Sequence, residues 1–266
     1  MTVATSEFLS VAQDAARAAG RILQDWAGRF TVSEKGPADL VTEADVASQV
    51  EIYRILHEHF RDHGFLGEEQ GLNTPPVGTE FRWIIDPLDG TSNYVHRFPY
   101  YAVSIGLEHR GIPLVGVIHD PTRDETFAAA AGCGATLNGQ PIRVSRFDHL
   151  KDAMVIASFP PGVTPGSQPI ERFLKVLPHA QTIHRSGSAA LNLAYVASGR
   201  LDAFWSTSLK PWDVAAGALI VAEAGGRITK MNGDPLDIHV PDLLCSNGSG
   251  IHHELRVLLS GNVDAS

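Results

Sequence analysis

Hydrophobic side chains recur every three or four residues along the first part of the chain. Between Ser6 and Trp26 this spacing forms one apolar stripe, which predicts an amphipathic helix. Thr42-Glu43-Ala44-Asp45 has the form of a capping box and predicts the start of a second helix. The face that this second helix is expected to bury consists of Val46, Val50, Tyr53, Leu56 and Phe60.

After residue 80 the helical period gives way to the alternation and short apolar runs that are typical of strands. Asn138-Gly139 predicts a tight hairpin turn within this region. The predicted strands are 81–85, 102–109, 114–119, 125–130 and 142–145. Further along, strands at 153–158, 201–205 and 243–246 alternate with helices at 169–177, 188–198 and 212–224, and a last helix follows.

This change of rhythm divides the chain into two halves. We expect an N-terminal α+β half, residues 1–150, and a C-terminal α/β half, residues 151–266. The loop 160–168 contains three prolines and two glycines and is the candidate boundary segment. The predicted fold class is therefore mixed, α+β or α/β.

Composition and charge exclude several classes of function. The 266 residues include 21 Lys and Arg and 30 Asp and Glu, a formal net charge of −9. This balance, without a basic cluster, argues against a nucleic-acid partner, and no apolar run is long enough to span a membrane. The first ten residues lack the basic and apolar segments of a signal peptide, and the only cysteines are Cys133 and Cys245. We therefore expect a cytoplasmic globular protein with neither a nucleic-acid nor a membrane partner.

An acidic segment carries most of the chemical information. The strand 81–85 runs directly into Asp86-Pro87-Leu88-Asp89-Gly90-Thr91, and Pro87 is expected to end the strand at Asp86. Carboxylates this close repel one another unless a cation neutralises them, and an all-oxygen ligand set favours Mg²⁺. The backbone amides that follow Gly90 suit a phosphate group. Together these features predict a two-metal site for phosphate hydrolysis.

The same four letters occur a second time and provide an internal control. Asp234-Pro235-Leu236-Asp237 follows Asn232-Gly233 and lacks the Gly-Thr pair, so we expect a simple loop there. The first copy differs because a strand precedes it, Gly90-Thr91 follows it, and Gly67-Glu68-Glu69 lies upstream. This context, rather than the tetrapeptide, indicates catalysis.

Three motifs together resemble the inositol monophosphatase family, which belongs to the lithium-sensitive, Mg²⁺-dependent phosphatase superfamily. They are Gly67-Glu68-Glu69, the segment from Asp86 to Tyr94, and Trp212-Asp213-Val-Ala-Ala-Gly217. The likeness covers nearly the whole chain in the family's order. It implies a layered α-β-α-β-α sandwich, two or three Mg²⁺ ions per site, lithium inhibition, a small phosphorylated metabolite as substrate, and a homodimer.

The resemblance also implies the metal ligands. Glu68, Asp86 and the carbonyl group of Leu88 match the ligands of a first ion. Asp86, Asp89 and Asp213 match those of a second ion. Since Asp213 comes from the C-terminal half, the site is expected to lie between the two halves.

Catalytic and substrate-binding roles follow from the same motifs. Thr91 together with Glu68 is expected to orient the attacking water. Asp45 is expected to lie near a third metal or in the Thr91 network, or only to cap its helix, or to do both. The residues expected to bind substrate or phosphate are Asp89, Gly90, Thr91, Gly187, Ser188, Ala189, Ser206 and Asp213.

One position departs from the family pattern and leaves the substrate open. Inositol phosphatases carry a Glu seven residues before the motif Asp, and this chain has Ser206 there. Inositol 1-phosphate is the family's default substrate, and histidinol phosphate is the main alternative. Bisphosphates are less expected, because the sequence shows no added basic residues to receive a second phosphate. A non-catalytic metal- or phosphate-binding protein is the rival class, although it predicts a missing ligand and all the motif ligands are present.

Overall fold

A computed structural model describes residues 3–36, 39–69, 73–75, 77, 80–160, 162–240 and 242–260. In these ranges no helix combines the length and the apolar character needed to cross a membrane. The elements follow in this order: α1 (Val3–Trp26), β1 (Val32–Gly36), β2 (Asp39–Thr42), α2 (Glu43–His59), β3 (Gly64–Gly67), β4 (Phe81–Asp89), α3 (Thr91–Val95), β5 (Ala102–His109), β6 (Ile112–Asp120), β7 (Glu125–Ala130), β8 (Ala135–Leu137), β9 (Gln140–Pro141), a 3₁₀ turn (Leu150–Asp152), β10 (Met154–Ser158), α4 (Gln168–Val176), β11 (Thr182–His184), α5 (Ala189–Ala197), β12 (Ala203–Ser206), α6 (Pro211–Glu223), β13 (Arg227–Thr229), β14 (Leu243–Ser246) and α7 (Gly250–Ser260).

Two large sheets organise the molecule. The seven-stranded sheet has the order β3-β4-β5-β6-β7-β8-β9, and only its β3–β4 pair is parallel. The five-stranded sheet has the order β11-β10-β12-β14-β13, and β10 is parallel to both β11 and β12. A separate small hairpin joins β1 and β2.

Helices cover these sheets in alternating layers. One hydrophobic core joins α1 and α2 to the outer face of the seven-stranded sheet. A second core joins α5 and α6 to the facing sides of both sheets, and a third joins α7 and α4 to the outer face of the five-stranded sheet. The result is an α-β-α-β-α sandwich, which confirms the expected layered fold.

Strand β4 does not end before Pro87 as the sequence analysis expected. It continues to Asp89, because a bulge inserts one extra residue between the pairs Asp86–Ser104 and Asp89–Ala102. A proline is tolerated at such a bulge because no ladder hydrogen bond is required of it there. The expected strand 142–145 is also wrong: Val144 donates its backbone N–H to the Ala224 carbonyl at the end of α6, at 3.3 Å, and not to a sheet partner.

The buried face of α2 matches the expected one only in part. Leu56 and Phe60 are buried as expected and Tyr53 is half-buried, but Val46 and Val50 are 48% and 58% exposed. The other buried residues of the helix are Ala44, Asp45, Ser48, Gln49 and Ile52. The polar members of this set support the loops of the candidate site, so apolar periodicity alone did not identify them.

The loop 160–168 does not separate the two sheets. It connects β10 to α4, and β10 already belongs to the five-stranded sheet. Both elements that the loop joins contribute to the same hydrophobic core. The loop is therefore a connection within the C-terminal layers and not a boundary between the two sheets.

Candidate active site

The bulge in β4 places the acidic segment at the C-terminal end of this strand, which lies between β3 and β5. Asp86 and Asp89 are both buried, and Asp86 Oδ1 accepts the backbone N–H of Leu88 at 3.0 Å. The Leu88 side chain packs in the core of the α1–α2 layer, which fixes the turn. Gly90 then takes φ = 98°, and a Cβ atom there would lie 3.1 Å from the Tyr100 carbonyl oxygen. The sequence needs glycine at this point because of both the left-handed conformation and the close approach.

Asp213 reaches the same point from the first turn of α6. One of its carboxylate oxygens accepts the Lys210 backbone N–H at 2.7 Å, which anchors the side chain at the helix start. Helix α6 lies against β5 and β6 through glycines: a Cβ atom on Gly116 would lie 2.5 Å from the Ala216 carbonyl oxygen. This close contact sets the position of Asp213 relative to the C-terminal end of β4.

Three carboxylates thereby meet. Asp86, Asp89 and Asp213 each offer one oxygen, and these oxygens lie within 4.8 Å of one another. Among the described residues, no Lys, Arg or His forms an ion pair with any of the three. Burying uncompensated charges costs several kcal/mol per group, so this arrangement fits a bound hard cation.

Burial and mutual repulsion raise the pKa values of these carboxyl groups. Burial, reinforced by the charges of Glu68, Asp89 and Asp213, raises the pKa of Asp86 well above its usual range. Burial raises the pKa of Asp89 to about 6 although hydrogen bonds from Ser188 and Ala190 oppose the shift. Burial and the charge of Asp89 raise the pKa of Asp213 to about 8. The cluster therefore holds protons at neutral pH that a bound cation would displace.

These pKa directions predict a pH-dependent effect of Mg²⁺ on stability. The unfolded carboxyl groups ionise near pH ~4 but the folded ones ionise higher, so the metal-free protein should lose stability as pH rises from about 4 to about 8. A cation bound to the ionised carboxylates, for which Mg²⁺ is the expected candidate, would offset this loss. We expect the Mg²⁺-induced rise in Tm to be at least about 4 °C larger at about pH 8 than at about pH 5.5, measured against chelator-treated protein. An equal rise at both pH values would contradict the prediction.

Glu68 lies in the loop that follows β3 and forms a hydrogen bond with the Asp86 carboxyl group. Its backbone N–H donates to the Ile85 carbonyl at 3.2 Å. The next residue, Glu69, is held by Gln49 of α2: its N–H donates to Gln49 Oε1 at 3.0 Å, and its carbonyl accepts Gln49 Nε2 at 3.1 Å. Ser48 similarly donates to the Pro87 carbonyl at 2.8 Å. Helix α2 therefore positions both acidic loops.

Gln49→Ala tests this support. Both hydrogen bonds are buried, so their loss is expected to lower the free energy of unfolding by about 2–3 kcal/mol. The displaced Glu68 loop should also lower phosphatase activity by about tenfold. Urea unfolding and phosphate release measure the two effects. Val50→Ala, on the exposed face one residue away, should change stability by less than about 0.5 kcal/mol, and an equal effect of both variants would refute the supporting role.

Asp45 contacts both the start of α2 and Thr91. Its Oδ2 accepts the Thr42 backbone N–H at 2.8 Å and the Thr42 hydroxyl at 2.6 Å, which caps α2. Its Oδ1 lies 3.3 Å from the Thr91 hydroxyl, which is also 3.2 Å from the Leu88 carbonyl oxygen. Because Asp45 is fully buried, it holds Thr91 in a fixed position beside the acidic cluster.

The second half of the chain contacts Asp89 through the start of α5. Ser188 caps this helix and donates its hydroxyl to Asp89 Oδ2 at 2.5 Å. The Ala190 backbone N–H donates to the same oxygen at 2.6 Å. Ser188 is buried, so the structure places it against Asp89 and not on the open surface where a substrate would contact it.

A cleft of about 440 Å³ opens at the acidic cluster. Its walls are formed by Asp89, Ser92, Asn93, Ser158, Arg185, Ser186, Gly187, Ala189, Ser208, Leu209 and Asp213. Of the residues expected to bind substrate, four line this cleft: Asp89, Gly187, Ala189 and Asp213. Ser206 is not part of this wall: it is fully buried, and its hydroxyl accepts the Ser208 backbone N–H at 3.4 Å. Strand β12 ends at Ser206, and Ser208 and Leu209 in the following loop line the cleft instead.

Several residues of the site were missing from the sequence analysis. Ser48 and Gln49 could have been found as polar residues at helical spacing with Asp45 and Ile52. Asn93 donates to the Tyr100 and Ser186 carbonyl groups at 2.7 and 2.8 Å, and Arg185 lines the cleft. Asn93 lies within the Asp86–Tyr94 motif but was given no role, and no local motif pointed to Arg185, because their contacts join distant parts of the chain.

A layered sandwich with buried carboxylates beside a polar cleft fits the class of metal-dependent hydrolases. A model of the inositol monophosphatase family matches residues 4–263. The chain is 42% identical over 256 residues to the inositol-1-monophosphatase of Synechocystis sp., covering 95% of this chain and 88% of that protein. It is 40% identical over 232 residues to the Nus factor SuhB of Pseudomonas aeruginosa, covering 85% and 86%. The solved inositol monophosphatase from Anabaena (Nostoc) sp. PCC 7120 matches with a TM-score of 0.86 at 40% identity over 96% of each chain.

The chain belongs to the inositol monophosphatase family. It is a phosphoric monoester hydrolase of this metal-dependent phosphatase family, as the sequence motifs indicated.

Proposed function

We propose that the protein is a Mg²⁺-dependent phosphate monoesterase that hydrolyses a small polyol phosphate of the inositol 1-phosphate type. The observation that carries this proposal is the convergence of Asp86, Asp89 and Asp213 within 4.8 Å at a polar cleft. We further propose that the chain consists of two halves, residues 1–150 and residues 151–266. Asp86 and Asp89 come from the first half and Asp213 from the second, so the site needs both.

The site residues fit Mg²⁺ because every donor is a carboxylate or carbonyl oxygen, and we propose two or three ions per site. Glu68, Asp86 and the Leu88 carbonyl would hold one ion, and Asp86, Asp89 and Asp213 a second. When bound, the ions supply Lewis acidity and a water nucleophile at neutral pH. The ionised carboxylates hold the ions, and burial of the cluster strengthens that interaction.

The other residues position the reacting groups. Thr91, held by Asp45, and Glu68 orient the attacking water. The amides of Gly90 and Thr91 hold the phosphate at the start of α3, where backbone N–H groups point outward. Attack in line with the leaving oxygen needs no covalent enzyme intermediate, so catalysis depends on positioning and charge stabilisation.

The lining of the cleft favours a polyol. Ser158 and Ser208 line the cleft together with the acidic residues, and serine hydroxyls can bond the hydroxyls of a substrate. Histidinol phosphate is the second candidate, because position 206 carries no carboxylate that would select ring hydroxyls.

Phosphate release from a panel of monoesters with purified protein tests the function. Mg²⁺-dependent turnover of inositol 1-phosphate that lithium inhibits supports it. A preference of 100-fold or more for histidinol phosphate would replace the substrate while leaving the phosphatase class intact. Absence of phosphate release from every compound would refute the enzymatic proposal and favour the non-catalytic rival.

We also propose a cytoplasmic homodimer. An apolar depression of about 380 Å³ includes Phe98 and Met154, which are 51% and 39% exposed, and Tyr195. A second copy of the chain would cover these side chains, and light scattering of the purified protein tests this.

Cys133 and Cys245 are both free thiols, which fits a reducing compartment.

A further inference from the structure

One carboxylate oxygen of Asp89 is fully occupied by donors from the second half of the chain. Asp89 Oδ2 accepts the Ser188 hydroxyl at 2.5 Å and the Ala190 backbone N–H at 2.6 Å. A carboxylate oxygen carries two lone pairs, so these two donors use both of them. Oδ1 is therefore the oxygen that Asp89 can offer to a cation, and Asp89 can bind that cation through this one atom only.

The other two carboxylates are held differently. Asp86 accepts the Leu88 backbone N–H at 3.0 Å, and Asp213 accepts the Lys210 backbone N–H at 2.7 Å. Hydrogen bonds within the cluster also join Asp86 to Glu68 and to Asp213. A cation would displace the protons that the acidic groups share in those bonds. Asp89 is therefore the ligand that donors outside the cluster restrict to one oxygen.

The direction of the Ser188 hydroxyl is fixed as well. Ser188 is the N-cap of α5, and its Oγ accepts the Leu191 backbone N–H at 3.2 Å. An ionised carboxylate only accepts hydrogen bonds, so the hydroxyl proton of Ser188 must point to Asp89. Ser188 is 1% exposed, and solvent therefore does not compete for this bond.

The segment that leads into α5 is anchored beside the acidic strand. The Ser186 carbonyl accepts Asn93 Nδ2 at 2.8 Å, and Asn93 lies on α3, which begins two residues after Asp89. Gly187 has φ = 91°, and a Cβ atom there would lie 2.9 Å from the Asn93 amide group. Ser188 cannot withdraw from Asp89 without disturbing these contacts.

We propose that Ser188 is a specificity-determining residue that favours Mg²⁺ over Ca²⁺ at the ion held by Asp86, Asp89 and Asp213, because it keeps Asp89 a one-oxygen ligand. Mg²⁺ requires octahedral geometry and is satisfied by single carboxylate oxygens, whereas Ca²⁺ takes about six to eight oxygens and often binds both oxygens of one carboxylate. The Ser188 hydroxyl closes the second oxygen to the larger cation. This inference rests on the proposed Mg²⁺-dependent function and deepens it.

The test measures the half-saturating concentrations of Mg²⁺ and of Ca²⁺ from the rise in Tm of chelator-treated protein without substrate. The readout is the Ca²⁺ value divided by the Mg²⁺ value. Ser188→Ala is expected to lower this ratio by about tenfold, because loss of a hydrogen-bond partner of a metal ligand changes metal affinity by at least that factor. Ser188→Gly removes the same hydroxyl, is tolerated at a helix N-cap and should give the same shift. Ser188→Thr keeps the hydroxyl and should keep the ratio of the wild type.

Ser198→Ala is the matched control, because it removes a serine hydroxyl from the other end of α5. That hydroxyl donates to the Tyr195 carbonyl at 3.3 Å, so its loss should leave the ratio unchanged. An unchanged ratio in Ser188→Ala and Ser188→Gly, or an equal shift in Ser188→Thr or Ser198→Ala, would overturn the role of Ser188. A wild type that shows no Mg²⁺-induced rise in Tm would instead overturn the proposed metal dependence itself.

Discussion

Asp89→Asn is expected to lower Mg²⁺-dependent phosphate release by about 1,000-fold, since several kcal/mol of transition-state stabilisation depend on the metal charge. The Asn side chain can still accept the Ser188 hydroxyl and the Ala190 N–H, so the start of α5 remains in place. Removal of one buried negative charge should make the metal-free protein at least as stable as the wild type at neutral pH, because Asp89 carries a raised pKa. Steady-state phosphate release and thermal unfolding in chelator measure the two effects.

The chain contains its own matched control for this change. Asp237 ends the second Asp-Pro-Leu-Asp segment, in an exposed loop, and its side chain accepts the His239 backbone N–H at 2.9 Å. Asp237→Asn should leave activity within about twofold of the wild type, as for other surface substitutions. If Asp89→Asn retained a tenth or more of the activity, the metal-ligand role of Asp89 would be wrong.

Thr91→Ala is expected to lower kcat by about 100-fold, because a water misplaced by about 1 Å loses that much of the rate. The Thr91 hydroxyl lies within 3.3 Å of Asp45 Oδ1 and the Leu88 carbonyl, and no other hydroxyl replaces it in the variant. Mg²⁺ binding should persist, because Asp86, Asp89 and Asp213 are unchanged. Phosphate release at saturating substrate and the Mg²⁺-induced shift in Tm separate these two outcomes.

Thr91→Ser keeps the hydroxyl and should recover most of the lost rate. Activity of Thr91→Ala within threefold of the wild type would exclude Thr91 as the residue that orients the water. A loss of the Mg²⁺-induced shift would place Thr91 in metal binding instead.

The sequence predicted well the parts of the fold that local patterns determine. Strands β5 and β7 have the predicted bounds, and Asn138-Gly139 turns with φ = 48° and 79° as a tight hairpin requires. The Asp-Pro-Leu-Asp copy at 234–237 lies in a loop, as its neighbours indicated. These features depend on a few adjacent residues, and a single sequence contains that information.

Features that depend on distant contacts were not predictable in the same way. The bulge at Pro87 is held by residues that are distant in sequence: Ser48 donates a hydrogen bond to the Pro87 carbonyl, and β5 pairs with β4 on both sides of the bulge. Ser188 and Ser206 face inward because Asp89 and Ser208 bond them there. Apolar periodicity identified α2 as a helix and its buried Leu56, but not the buried Ser48 and Gln49, because the side chains that pack against the site are polar.

The packing of α6 on Gly106 and Gly116 joins ion retention to the integrity of the whole fold. A fluctuation that lifts this helix from β5 and β6 also withdraws Asp213 from the other two carboxylates. Local opening and escape of a cation are therefore one event, and any ion held there opposes separation of the layers. Bound magnesium would therefore stabilise the packing of the inner helices on the large sheet, in addition to its part in the reaction.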